Sequence, residues 1–200
     1  MLNLVQKFSI FPEYFLALSI VYLLILVTLI TTYNSTGLIL QKRISECIAL
    51  ILLMSCYLIL NDDLIYSFKH IDSFSFNNSI INDFLSVISR FLIAFFASIY
   101  FLFIADSLKE QRLTAFEYLI ILLFAILGLM LMCCSGDLII AYLSIELCSV
   151  AFYVLASFRK TSSYSVEAGI KYYITSAISS YFCLLQSLSA FLLILLECES

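Results

Sequence analysis

The chain has 200 residues, of which 64% are hydrophobic and only 12% charged, with a net charge of −4. Such a balance, with a mean hydropathy of +1.10, exceeds what a soluble fold of this size needs, and the apolar runs are long enough to cross a bilayer. The acidic balance and the lack of a basic tract exclude a nucleic-acid partner. One proline and four glycines leave long helices uninterrupted, and the apolar runs are continuous rather than alternating, which excludes a transmembrane β-barrel. The expected fold is all-α, a polytopic transmembrane bundle of about six helices in contact with membrane lipids.

The first span runs from about Ile10 to Tyr33, with Pro12 and Glu13 at its entry, where a missing N–H and a negative charge suit a helix start. Its length and the lack of a small-x-small cleavage site favour a retained helix over a signal peptide. A short loop, Thr36 to Arg43, precedes the second span, roughly Ile44 to Leu60. The longest polar stretch follows, from Asn61 to Asp83, and holds His70, the only histidine, which reads as a solvated loop residue. The third span, about Phe84 to Ile104, includes Arg90, placed either to snorkel to the interface or to pair with a neighbouring helix. A loop with Lys109 and Arg112 leads to the fourth span, about Phe116 to Cys134. The turn Ser135-Gly136-Asp137 opens the fifth, to about Ser157. Arg159 and Lys160 precede the sixth, about Val166 to Leu196.

The basic residues sort by side. Lys42, Arg43, Lys109, Arg112, Arg159 and Lys160 lie in the loops after spans one, three and five, and only Lys7 and Lys69 lie opposite. The positive-inside rule then puts both termini on the intermembrane-space or periplasmic side. Seven cysteines, none in a CxxC pair, read as reduced thiols packed as small hydrophobes, with no metal or iron–sulfur site.

Two spans carry charges that a bilayer disfavours by about 2.5–3.5 kcal/mol each. On the fifth, Tyr142, Glu146, Ser149 and Tyr153 follow at i, i+4, i+7 and i+11 and form one polar stripe. On the sixth, Glu167, Lys171, Thr175 and Ser179 recur at steps of four, and Gln186 continues that side. Glu167 and Lys171 can pair on one face. Lys171 lies roughly 7–9 Å below the positive-side surface at about 1.5 Å per residue, shallow enough to snorkel, and Glu167 can equally be interfacial. Glu146, nearer mid-membrane, has no easy reach to water. Burial raises a carboxyl pKa and lowers a lysine pKa, whereas an opposite charge does the reverse. Moving or hydrating one such charge changes the proton occupancy of the other, which is what a proton relay requires. No Ser/His/Asp set, Cys/His site or phosphate-binding glycine loop points to a catalytic residue in this chain.

These residues also carry a resemblance. The segments ADSLKEQRLTAFEYLIILLF and GDLIIAYLSIELCSVAFYVLASFRKTSSYSVEAGIKYYITSAISS resemble the N-terminal portion of subunit 2 of NADH–ubiquinone oxidoreductase, respiratory complex I, in the antiporter-like family. The resemblance covers about Ala105 to Ser180 most strongly. It implies a core membrane-arm subunit of a proton-pumping enzyme, in the mitochondrial inner membrane or a bacterial plasma membrane. Glu146 would match the family's essential fifth-helix glutamate, and Glu167 and Lys171 its sixth-helix charged pair. FMN, iron–sulfur clusters and ubiquinone would belong to other subunits, and this chain would bind none of them. Residues 1–110 would form a three-helix segment with an outer loop at 61–83, and residues 111–200 the first part of an antiporter-like repeat. The family's central lysines would then lie on a second chain, making this the N-terminal fragment of a split subunit. The alternatives are a subunit of a multi-subunit Na+/H+ antiporter, which shares these helices, and a structural scaffold that has kept the charges without transport.

Overall fold

The computed structural model describes residues 11–33, 37–63, 73–75, 80–110, 116–159 and 162–199. Among them are six α-helices: α1 (Phe11–Tyr33), α2 (Gly37–Leu58), α3 (Phe84–Glu110), α4 (Glu117–Cys133), α5 (Leu138–Ala156) and α6 (Ser163–Glu199). Four of them, α1, α2, α3 and α5, are long and apolar enough to cross a membrane. α4 is also apolar but has only 17 residues, about 25 Å at 1.5 Å per residue. Lys7, Lys69, His70, Arg112 and Lys160 lie outside the described residues.

Several boundaries differ from the sequence expectation. α2 begins at Gly37 rather than near Ile44, so Lys42 and Arg43 sit on its exposed first turns instead of in a loop. Leu, Lys, Arg and Gln are all good helix formers, and polarity alone does not end a helix. For the same reason α3 continues through Asp106, Lys109 and Glu110. α6 starts at Ser163, where the Ser162 hydroxyl accepts the Ser165 N–H at 3.4 Å and caps the free helix start. α2 widens into a π turn, Ile59–Asp63. The polar stretch beyond it holds an unforeseen antiparallel pair, β1 (Ser73–Ser75) and β2 (Ile80–Asn82), in which Phe74 faces Ile81.

Helices α1 to α4 close on themselves. α1 packs on α2 and α4, and α3 packs on α2 and α4. Their shared core is one apolar cluster that includes Leu16, Ile20, Ile48, Leu52, Phe101 and Leu123. α4 is the most enclosed, with Leu119, Ile120, Leu123, Ala125, Ile126, Leu127, Gly128 and Met130 all buried, as suits a helix that is apolar all round. Exposed Leu18, Tyr22, Leu85, Phe96 and Phe103 give the bundle an apolar outer surface. Three of its serines are satisfied inside their own helices: Ser19 donates to the Leu16 carbonyl at 2.7 Å, Ser55 to Leu52 at 2.7 Å and Ser98 to Phe95 at 2.7 Å.

The last two helices are added sideways, α5 on α4 and α6 on α5, through small residues that let backbones approach. A Cβ on Gly128 would lie 3.1 Å from the Cys148 backbone nitrogen of α5. The Cys148 thiol points back to the Ala125 carbonyl at 3.7 Å. Gly169 of α6 is tighter still: a Cβ there would meet the Ser157 Cβ at 2.5 Å. Beside it, the Ser165 hydroxyl donates to the Ala156 carbonyl at 2.7 Å, tying the start of α6 to the end of α5. A Gly169→Val substitution therefore forces the helices apart. Overpacking of this kind costs about 1–3 kcal/mol, and a lowered thermal unfolding midpoint of the purified membrane protein is the expected outcome.

Candidate functional site

The stripe foreseen on α5 is present. Ser144, Cys148 and Ala151 are buried toward α4, while Tyr142, Glu146, Ser149 and Tyr153 are all half-buried along a neighbouring line. Glu146 lies eight residues into a 19-residue helix, about 12 Å from its start at 1.5 Å per residue. The Ser149 hydroxyl is engaged by the Glu146 backbone carbonyl at 2.9 Å, so it is bound to the helix rather than to the carboxylate. Among the described residues no salt bridge reaches the Glu146 carboxylate. Tyr153 meets Tyr173 of α6 edge to face, with ring centroids 5.3 Å apart, so the lower end of the stripe is roofed by the next helix.

On α6 the expected ion pair is formed: Lys171 Nζ lies 2.6 Å from Glu167 Oε1. Both are exposed, with side-chain exposures of 74% for Lys171 and 59% for Glu167. Thr175 and Ser179 are exposed as well, and their hydroxyls donate to the carbonyls of Lys171 and Ser176, each at 2.8 Å. The side of α6 that meets α5 carries Ser165, Gly169 and Tyr173. Two residues on a helix are separated by about 200°, so Lys171 points away from both Gly169 and Tyr173. The two charged stripes thus lie on adjacent helices without facing each other. Glu146 shares the side of α5 that carries Tyr153, and Glu167–Lys171 looks outward from the bundle.

A second polar cluster was not foreseen as a unit. Arg90 of α3 is fully buried, and it does not snorkel. Its guanidinium donates to Glu13 Oε1 of α1 at 2.6 Å, to Asn82 Oδ1 at 2.8 Å and to the Ser86 carbonyl at 3.3 Å. Glu13 lies in the first turn of α1, as expected, and is also 3% exposed and paired across 77 positions. Glu13 Oε2 and the Ser86 hydroxyl oxygen find no hydrogen-bond partner among the described residues. Cys134, in the α4–α5 turn, lies within the field of this cluster. Burial pushes its thiol up to about 12, the Glu13 carboxylate adds to the rise and Arg90 opposes it. The signal available in the sequence was Arg90 itself, a cation in an apolar span; its partner was not legible because the pair is so distant along the chain.

Among the described residues no three or more His, Cys, Asp or Glu side chains converge as metal ligands do. The charged helices coincide with the region of likeness to known proteins. A family described as NADH:quinone oxidoreductase/Mrp antiporter, transmembrane, matches residues 135–196, which contain α5 and most of α6. NADH-quinone oxidoreductase subunit N of Pelagibacter ubique is 33% identical over 171 residues, 86% of this chain and 34% of the relative. Subunit N of Maricaulis maris is 38% identical over 109 residues, 54% of this chain and 23% of the relative. NADH-ubiquinone oxidoreductase chain 2 of Marchantia polymorpha is 39% identical over 105 residues, 52% of this chain and 21% of the relative. The matched part of the chain spans about a third of the first of these relatives and less than a quarter of the other two. From the charged α5–α6 pair, the four helices long and apolar enough to cross a membrane and these likenesses, the protein is a multi-pass membrane protein similar to the antiporter-like subunits of NADH–quinone oxidoreductase.

Proposed function

We propose that the chain is a membrane-arm subunit of a proton-translocating NADH:quinone oxidoreductase and supplies part of its proton path. The observation that carries this reading is Glu146: a half-buried carboxylate in the middle of an apolar helix, in the segment that matches the antiporter family. A charged side chain at that depth is costly in a bilayer, which marks it as a functional residue rather than a lipid-facing one. Tyr142 and Tyr153 line its stripe as supporting polar groups, with Ser149 between them.

Lys171 and Glu167 form the second station. They sit on a largely apolar helix, exposed and turned away from this bundle. Such a pair within a membrane needs cover by protein or a hydrated path. We assign that cover to further protein of the membrane arm, packed along the face of α6 that carries Glu167 and Lys171. Thr175 and Ser179 would lie along the same contact. In this reading FMN, iron–sulfur clusters and ubiquinone are held by other subunits, and both termini face the intermembrane space or periplasm.

The second reading, a subunit of a multi-subunit Na+/H+ antiporter, draws on the matched family, whose description includes such antiporters. The names of the similar full-length relatives favour the respiratory enzyme. Co-purification of this chain with a flavin-bearing NADH-oxidising arm decides between them.

A Glu146→Gln substitution keeps shape and removes the titrating proton. In vesicles carrying the intact complex it is expected to slow NADH-driven proton uptake about tenfold or more, equivalent to at least ~1.4 kcal/mol on the barrier. Unchanged uptake would instead mark the chain as a scaffold. Lys171→Met is expected to lower uptake severalfold at normal assembly, whereas a snorkelling lysine would be replaced without effect on uptake.

A further inference from the structure

The buried cluster around Arg90 has no part in the two proton stations, yet it leads to one of them. Arg90 joins Glu13 of α1 at 2.6 Å and Asn82, the last residue of β2, at 2.8 Å. The neighbour of Asn82 in β2, Ile81, donates its N–H to the Cys134 carbonyl at 3.0 Å. Ile80 bridges Ser135 in antiparallel fashion. Cys134 and Ser135 open the turn from which α5 starts, and in that turn the Asp137 carbonyl accepts the Ala141 N–H at 3.0 Å. Hydrogen bonds joined through the backbone of 81–82 and 134–137 therefore link α1, α3 and β2 to the root of the helix that carries Glu146.

Two features separate positioning from general cohesion. The core of α1 to α4 is already a continuous apolar cluster, and a buried ion pair seldom stabilises more than apolar residues of the same volume would. What a guanidinium adds is geometry, because its planar fork fixes two acceptors at once. Arginine only donates, so the Asn82 amide is oriented with its oxygen toward Arg90. α5, by contrast, rests on the bundle by one face, against α4, and its root is held by β2. Rotation or sliding of that root is transmitted along a rigid helix to Glu146.

We propose that Arg90 is a positioning residue for α5: with Asn82 and Glu13 it clamps β2 on the α4–α5 turn and so sets the depth and rotation of Glu146. The consequence for proton uptake rests on the function proposed above; the clamp itself does not.

The test uses the intact complex from variant strains, with hydrogen exchange followed by mass spectrometry and NADH-driven proton uptake in vesicles. Asn82→Ala breaks the clamp and leaves the Arg90–Glu13 pair. It is expected to speed exchange in segments 80–82 and 134–141 about tenfold, as loss of a hydrogen bond to a charged group would. Exchange in the cores of α1 and α2 should stay unchanged, and uptake should fall severalfold. Asn82→Asp, which still offers oxygen to Arg90, should restore both. Arg90→Lys, which keeps the charge for Glu13 but cannot reach both acceptors, is the second variant should the first not assemble, with the same expected pattern. Unchanged exchange at 134–141, or a rise spread evenly over the bundle, overturns the proposal. Glu146→Gln run in parallel separates the two claims: uptake that survives it defeats the proton reading, while the exchange contrast still decides the clamp.

Discussion

A guanidinium that is wholly removed from solvent constrains everything around it. In a bundle with so little polar surface, Arg90 cannot be left without acceptors, because an uncompensated charge in such surroundings costs about 3–5 kcal/mol once a partner is lost. The chain meets that demand from three elements: Glu13 at the start of α1, 77 positions away, Asn82 at the end of β2, and the Ser86 carbonyl one turn back on α3. These contacts fix the relative depth of α1 and α3 and draw the extended segment 80–82 over the end of the bundle. The turn that starts α5 is then bonded to that segment.

From this end the molecule is built outward in layers of decreasing enclosure. Four helices share one apolar core, α5 leans on α4 through Gly128, and α6 leans on α5 through Gly169. The order matters for function. Across five charges the exposure rises layer by layer, from buried Glu13 and Arg90, through half-buried Glu146, to exposed Glu167 and Lys171. An exposed charged face on an otherwise apolar helix is incomplete in a bilayer, and it is the face most suited to meet further protein.

Much of this was legible in the sequence, for physical reasons. Long apolar runs give helices, and the four-residue recurrence of Glu167 and Lys171 placed them within reach of each other, as the 2.6 Å pair shows. The stripe Tyr142, Glu146, Ser149 and Tyr153 followed from helical period alone. Helix ends were less legible: Lys42, Arg43 and Lys109 looked like loop residues, but α2 and α3 extend beyond their apolar stretches to include them. The relation between the α5 and α6 stripes was not legible, because periodicity gives a face and not its direction. Only the glycine contact at Ser157 and the Tyr153–Tyr173 ring pair reveal that Lys171 points outward. The pairing of Arg90 with Glu13 was hidden by sequence distance, and β2 by its brevity.

The central claim is that Glu146 on α5 and the outward pair on α6 are parts of one proton path completed by neighbouring protein. A density map of the intact complex, at a resolution that shows side chains, tests it most directly. The account predicts further protein helices packed along Glu167, Lys171, Thr175 and Ser179, with polar or hydrated continuity onward to Glu146. Lipid acyl chains covering that face of α6, with Glu146 sealed from it by apolar packing, would contradict it.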